Sequence, residues 1–261
     1  MSLPFERWLE AVRGGQTAVL VTALEGGARL FVPEEGEPVG SLGDAAVDRW
    51  AVAEARRRLA AARPRSGSAE AELPGGARLP LFFDVQAAPP ELVLFGAGHD
   101  AVPLAQGGSR LGFRVLVVDP REAYATPERF PGAEVVPLAP DELEGRLHLG
   151  PRSYAVVMNH HLVRDRLSLR FALASEAAYV GLLGPRERAE RILEELRREG
   201  FRPSPAALAR LYSPVGLDVG AEGPEEVAVS ILAEVLAVRN GHRGGFLRER
   251  SGSIHAEAAT A

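Results

Sequence analysis

The stretch Glu91–Asp119, ELVLFGAGHDAVPLAQGGSRLGFRVLVVD, holds the residues whose types and spacing point most directly to chemistry. An apolar run, Leu92 to Phe95, leads into Gly96-Ala97-Gly98-His99-Asp100-Ala101. A second apolar run, Val115 to Val118, ends on Asp119. A Gly-x-Gly-x-x-Ala turn between a strand and a helix is a dinucleotide-binding fingerprint, and each position has a physical task. Gly96 permits the tight turn, Gly98 lets the backbone approach a pyrophosphate, and Ala101 is small enough for close helix–strand packing. The helix N-terminus adds free N–H groups and a partial positive charge. Asp119, 21 residues after Gly98, lies where an acid meets a ribose hydroxyl, which argues for NAD over NADP, while Arg121 argues the other way. The competing reading is a sheet that kept the turn without the ligand, since fold alone does not imply function.

Ligands of an open α/β sheet sit outside the carboxyl ends of its strands. Residues at such ends are Asp119 and Arg121, then Asn159, His160 and His161 with Asp165 in the following turn, then Gly184 and Arg186. Three of the six histidines, His99, His160 and His161, therefore fall at one sheet edge. His99 could contact a phosphate or donate a proton, or simply pack locally. His160 and Asp165 are further acid–base candidates. No HExxH pattern or nearby glutamate completes a zinc set, so neither a catalytic nor a structural metal is expected. Arg121 and Arg186 could each meet a phosphate or stay solvated. In the loop Ser213–Gly220, the glycines and Asp218 suggest a defined turn beside the next helix, by cofactor contact or by backbone geometry alone.

The elements that must position these residues follow from periodicity and breakers. Glu91 onward alternates strands and helices, predicting a parallel sheet. Strands are expected at Leu92–Phe95, Val115–Val118, Glu134–Leu138, Tyr154–Met158 and Tyr179–Leu183. One helix begins at Pro185 and ends before Gly200, and another begins at Pro224. The N-terminal third reads as a small separate unit. It has a helix at Pro4–Val12 and strands at Thr17–Thr22, Arg29–Val32 and Leu79–Val85. Its second helix is capped by Asp44 and runs to about Ala62, with a seam of Val47, Trp50, Ala51, Ala55 and Leu59. Arg63–Ala69 reads as a polar loop and Ala87–Pro90 as a stiff linker. The expected organisation is a small N-terminal α+β domain over 1–86, a Rossmann-like parallel-sheet domain over 90–240 and a flexible tail over 241–261.

Composition narrows the partners. A net charge of −5 offers no basic excess for nucleic acid. No apolar run approaches a membrane span, and MSLPFERWLE is not a signal peptide, so a cytoplasmic protein is expected. The chain has no cysteine, which excludes disulfides, thiolate catalysis and Cys-ligated metals. All 30 basic residues are arginine, which excludes a Schiff-base lysine and a Walker-type lysine loop.

Five segments together resemble the accessory factors of xanthine dehydrogenase and carbon monoxide dehydrogenase, the XdhC/CoxI family. They are LVLFGAGHDAVPLA, VLVVDPREAYATPERFPGAE, YAVVMNHHLVRD, AAYVGLLGPRERAERI and SPVGLDVGAEGPEEVAVSILAEVLA. They cover almost all of Leu92 to Ala237 in family order. The resemblance implies a Rossmann domain joined to a small N-terminal domain, usually as a homodimer. It also implies a role in maturing molybdenum hydroxylases: holding molybdenum cofactor, assisting its sulfuration with a cysteine desulfurase, and delivering it to the apoenzyme. That is the work of a cofactor-binding accessory protein rather than an enzyme with its own turnover. The N-terminal third departs from the family pattern. The family's Gly-Ser-x-Pro-Arg loop has no counterpart in VTALEGGARLFV. Its Cys-containing glycine turn survives only as GSLGDAAVD, where Asp44 and Ala45 replace glycines and Ala46 replaces the cysteine. An NAD-dependent oxidoreductase and a scaffold that has lost cofactor delivery are the alternatives.

Overall fold

β1 (Ala18–Ala23) is apolar at successive positions because a helix covers each of its faces. In this computed structural model, which describes residues 3–61, 64–72, 76, 78–249 and 251, β1 is the middle strand of the first of two units, 1–89 and 90–261. The other strands of its antiparallel sheet are β2 (Arg29–Pro33), β3 (Val39–Ser41), β4 (Gly67–Glu72) and β5 (Arg78–Gln86), in the order β3-β2-β1-β5-β4. Val19, Val21 and Ala23 pack with Val47, Ala51, Ala55 and Leu59 of α2 (Ala45–Leu59). Ala18 and Leu20 point the other way, to Phe5, Trp8 and Ala11 of α1 (Leu3–Arg13). Alternation along the strand thus serves two separate cores.

Three N-terminal expectations change. The polar stretch expected as a loop over 63–69 becomes strand from Gly67, because its backbone pairs with β5 from Gly67↔Phe83 to Glu72↔Arg78. An edge strand needs only that ladder and a few small inward side chains, here Ala69 and Ala71. Trp50 is 39% exposed, at the rim of the helix seam, edge-on to Phe83. α2 ends at Leu59 with Ala60 as its C-cap, and the expected end at Ala62, like Arg63, lies outside the described residues. Asp44 is the N-cap as expected, its Oδ1 accepting from the N–H groups of Ala46 (2.7 Å) and Val47 (3.1 Å), a contact worth about 1 kcal/mol. Asp48 accepts from the Ser41 hydroxyl and the Leu42 N–H, both at 2.7 Å, closing the preceding turn.

The second unit is a six-stranded, all-parallel sheet. Its strands are β6 (Glu91–Phe95), β7 (Arg114–Val118), β8 (Glu134–Val136), β9 (Ser153–Val157), β10 (Tyr179–Leu182) and β11 (Leu211–Tyr212). Their order is β11-β10-β9-β6-β7-β8, the doubly wound Rossmann arrangement. α3 (Ala101–Arg110) and α7 (Pro224–Arg239) cover one face, meeting Leu92, Leu94, Val115 and Val117. α4 (Leu162–Ala174), α5 (Arg186–Arg198) and α6 (Pro205–Ala209) cover the other, meeting Val93, Phe95, Ala155, Val157 and Val180. Burial on both faces explains why these strands read as continuous apolar runs.

Close packing here rests on glycine. In α3, a Cβ at Gly107 would lie 2.5 Å from Leu232 of α7, and one at Gly108 2.6 Å from Leu92 of β6. The helix therefore accepts two poor helix formers in return for closer contact. Periodicity alone does not predict α4, α6 and β11; the apolar residues of α4 are broken up by arginines, and β11 is two residues long. β8 is shorter than expected, ending at Val136 rather than Leu138, whose side chain nevertheless packs in the core. Pro185 is the N-cap of α5 rather than its first residue. Leu247–Glu249 form a short 3-10 turn within the stretch expected as a flexible tail, while 250 and 252–261 lie outside the described residues.

Gly96 and Gly98 make contrasting demands. Gly96 has φ +123°, and a Cβ there would stand 2.5 Å from the Met158 carbonyl oxygen and 2.9 Å from Asn159 Cα. At Gly98 the nearest atom would be His160 Cδ2, an ordinary 3.6 Å away. Gly96→Ala should therefore destabilise this unit by about 3 kcal/mol or more, lowering Tm by roughly 6–12 °C. Gly98→Ala should stay within about 1 kcal/mol of wild type. Thermal melts of the two variants side by side check this; equal losses would show that the turn does not make this close approach.

Candidate functional site

The sheet order reverses between β6 and β9: from β6 the chain moves to β7 on one side and later returns to β9 on the other. The region outside the carboxyl ends of these two strands is the usual ligand position of a doubly wound sheet. Gly96 to Asp100 leave β6 there, and Met158 to His160 leave β9. Asp119 to Arg121, after β7, and Leu183 to Arg186, after β10, flank them.

The glycine turn is tethered to the β7 side. Gly96 N–H donates to the Val118 carbonyl (2.8 Å), and Ala97 N–H to Asp119 Oδ2 (2.8 Å). Arg129 Nη1 donates to the carbonyls of Ala97 (2.8 Å) and Tyr124 (2.7 Å). By contrast, the N–H groups of Gly98, His99, Asp100 and Ala101 meet no protein acceptor among the described residues. They form a cluster of donors at the positive end of α3. Asp100, the N-cap of α3, makes no capping bond. Its carboxylate instead meets His160 Nε2 at 3.1 Å. His160 has φ +55°, a left-handed conformation that is unfavourable for a side chain bearing Cβ, and this turns its ring toward Gly98.

Asp119 is fully buried, and its carboxylate is saturated. Oδ2 accepts from Ala97 N and from Arg121 Nη2 (2.6 Å); Oδ1 accepts from Arg121 N and Nε, both at 2.9 Å. Burial alone would raise its pKa, but the hydrogen bonds from Arg121 and the two backbone N–H groups outweigh burial and hold it below the ordinary value. The expected ribose-facing carboxylate is thus replaced by one turned inward, since four donors occupy its acceptor positions. Asp165, the acid–base candidate, is likewise buried. Its Oδ1 accepts from Asn159 N (2.9 Å) and Nδ2 (3.1 Å), and its Oδ2 from Arg188 Nε (3.1 Å), with Arg188 Nη2 also in contact. It clasps the turn after β9 to α5, and both its oxygens are taken up in doing so.

The remaining candidates fall in different places. His99 is exposed in the turn. His161 is the N-cap of α4, its Nδ1 accepting from Arg164 N. Ala101 is fully buried at the start of α3. Gly184 has φ +126° where β10 gives way to α5, and Arg186 is exposed at the first position of that helix. Asp218 lies in a loop that is indeed a defined turn. Gly216 N–H (3.0 Å) and the Tyr179 hydroxyl (2.6 Å) both donate to Glu234 Oε2, and the Ser230 hydroxyl donates to the Leu217 carbonyl. Burial, reinforced by the Glu234 charge, raises the Tyr179 pKa well above its ordinary value, so this donor stays protonated. Sequence reasoning missed Asp100, Tyr124, Arg129 and Arg188. Arg129 acts 32 residues away from Ala97, with no local signal. Arg188 was detectable only as a cation on the inward side of an amphipathic helix. Among the described residues, no group of three or more His, Asp or Glu side chains is placed to hold a metal, and no helix is long and apolar enough to cross a membrane.

The Asp119 contacts have a pH signature. A carboxylate whose folded-state pKa is depressed contributes stability above its unfolded pKa and loses it as pH falls through the folded value. Asp119→Ala should cost about 1–3 kcal/mol near neutral pH, because it leaves a buried N–H unpaired. The gap between wild type and variant should close as pH drops below 3.8, the ordinary aspartate value. Urea unfolding of both proteins from pH 7 downward measures it; a gap independent of pH would mean that charge plays no part.

Known proteins share this arrangement. Residues 92–235 match the family model described as the XdhC Rossmann domain. The chain is 41% identical over 151 residues to a Bacillus subtilis protein named as a probable xanthine dehydrogenase subunit, covering 58% of this chain and 43% of that protein. It is 32% identical over 238 residues to the uncharacterized protein YqeB of Escherichia coli, covering 86% of this chain and 42% of that one. The chain thus spans about two-fifths of the length of these relatives. A crystal structure named as a xanthine dehydrogenase from Bacillus halodurans aligns with a TM-score of 0.67 at 26% identity, over 93% of this chain and 66% of that one. The doubly wound sheet, the glycine turn at its switch point and the family match over 92–235 together make this chain a member of the XdhC family.

Proposed function

We propose that this chain is an accessory factor for a xanthine dehydrogenase-type molybdenum hydroxylase. In this reading it holds molybdenum cofactor by its phosphate on the Gly96–Ala101 turn and passes it to the apoenzyme. A cysteine desulfurase supplies the sulfur, and the factor works as a homodimer. The single observation that carries the ligand assignment is the cluster of N–H donors from Gly98 to Ala101 at the start of α3, at the sheet's switch point. Gly98 adds to it, since a Cβ there would take up space beside His160 that an approaching phosphate needs. The family match and the names carried by the Bacillus relatives support the client assignment.

The roles of individual residues follow from their contacts. Asp119 and Arg129 hold Ala97 from both its N–H and its carbonyl, so the donors beyond it are already oriented before a ligand arrives. Asp100 places a negative charge beside an anion site, and His160 at 3.1 Å offsets it when protonated. When bound, the cofactor supplies the molybdenum and dithiolene on which the client's hydroxylation depends. Nothing in this chain is needed beyond binding, orientation and release. A second reading, a nicotinamide-dependent oxidoreductase, is favoured by the His160–Asp100 pair beside Gly98, which could move a proton.

Gly98→Val should lower molybdenum cofactor binding and apo-hydroxylase reconstitution at least tenfold, with Tm nearly unchanged. Calorimetric titration and client activity measure the two. Equal binding by wild type and variant would remove the turn from the site. Since the chain has no cysteine to carry a persulfide, sulfurated client should appear only when a desulfurase is supplied. Client activated without one would place the sulfur source elsewhere.

A further inference from the structure

Away from the glycine turn, we infer that a second copy of this chain docks on the outer face of α7, the two helices crossing antiparallel about a two-fold axis at Ala233. The inference rests on the homodimer reading and gives it a place on the molecule. α7 covers the sheet from outside, yet its sequence is that of a helix enclosed on all sides. Ala228, Ile231, Leu232 and Val235 pack in the core. The other side of the helix is no more polar: Val229 is 65% exposed, and Ala233 and Ala237 are half-buried. Between Val227 and Val238 the one charged residue is Glu234, and it is turned inward to the Tyr179 hydroxyl and the Gly216 N–H. The opposite face of the sheet differs. There α5 is charged at most of its positions and pairs Arg191 with Glu195 and Arg198 with Glu194, both at 3.1 Å, as a solvent-facing helix does.

The apolar surface extends beyond α7. The loop that carries Val219 is bonded to the helix: Leu217 N–H donates to the Ser230 carbonyl (3.3 Å), and the Ser230 hydroxyl to the Leu217 carbonyl (2.6 Å). The segment after the helix returns to that loop, where a Cβ on Gly244 would stand 3.2 Å from Leu217, and leads into Phe246 and Leu247. Val219, Val229, Phe246 and Leu247 are the most exposed large apolar side chains among the described residues. Single apolar residues are ordinary on a surface; four that converge on one uncharged helix mark an interface.

Charge selects the occupant. α7 starts acidic, with Glu225 and Glu226 exposed and Glu222 just before them, and ends basic, with Arg239 and then Arg243. Two copies laid antiparallel set each acidic start against the other's basic end and oppose the two helix dipoles, whereas a parallel pair would set like against like. A face that complements itself is what a two-fold contact requires. Glu226, Ala233 and Asn240 recur at heptad spacing on one stripe, with Ala233 in the middle, where its small side chain lets the helices approach.

The test measures the oligomeric state of the full-length chain by sedimentation velocity. Val229→Arg is the disrupting variant, and Val163→Arg, at an exposed apolar position on α4, is the control. Val229 is exposed in the single chain, so the arginine should leave the fold intact, which circular dichroism checks. We expect a wild-type dimer, a dissociation constant raised at least a hundredfold by Val229→Arg, and no change with Val163→Arg. Because the chain has no cysteine, Ala233→Cys carries a single thiol that meets its own copy at the crossing. Mild oxidation should then link the dimer covalently, which requires Cα atoms within roughly 6 Å. If the wild type is a dimer that survives Val229→Arg, or one that Ala233→Cys does not cross-link, the homodimer reading stands and this crossing is overturned. If the wild type stays monomeric, both are overturned; loss of client activation in Val229→Arg would then give the face to the apoenzyme.

Discussion

A single buried carboxylate joins the two strands that border the candidate site. Asp119, at the end of β7, reaches back to the N–H of Ala97 at the end of β6 and simultaneously takes both the backbone and the guanidinium of Arg121. An anion this deep is tolerated only if every acceptor position is filled, and here each one is. Because it is filled from both strands, the glycine turn cannot shift without unpairing a buried charge. The direction of α3, the donors at its start and the orientation of Arg121 all follow from that clasp.

A second clasp, after β9, works in the same way. Asp165 ties the turn after β9 to α5 through Asn159 and Arg188. Between the two clasps lie the close approach of Gly96 to the Met158 carbonyl and the His160–Asp100 contact. The carboxyl edge of the sheet is therefore held by polar contacts between neighbouring loops and helix starts, while the two apolar layers hold the strands themselves. Such division leaves the sheet rigid and confines chemical variation to a few loop residues.

The N-terminal unit shows the same economy of parts with a different outcome. Asp44 caps α2 with its own carboxylate, and Asp48 closes the turn before it. Two aspartates thus satisfy the backbone N–H groups of Leu42, Ala46 and Val47. With no cysteine in the chain, this turn has a structural explanation that is complete without a ligand.

The architecture was legible in the sequence because its signals are local. Leu92–Phe95, Val115–Val118 and Tyr179–Leu182 are near-continuous apolar runs, which a sheet buried on both faces requires, and the glycine turn marks the switch point. The edge strand β4 was not legible, because a strand stabilised by one neighbour's ladder needs almost no apolar pattern of its own. The site residues divide along the same line. That Gly96, Gly98 and His160 follow the ends of β6 and β9 could be read by position, since a strand's end is a one-dimensional fact. Whether Asp119 and Asp165 face a ligand or the interior depends on which donors reach them, and those come from residues as far as 23 positions away. Charge and spacing placed one carboxylate at the end of β7 and another a few residues after β9, which the structure puts in the first turn of α4; only tertiary structure decided that both would turn inward, because desolvating an anion is tolerable only where the folded chain brings enough N–H groups to meet it.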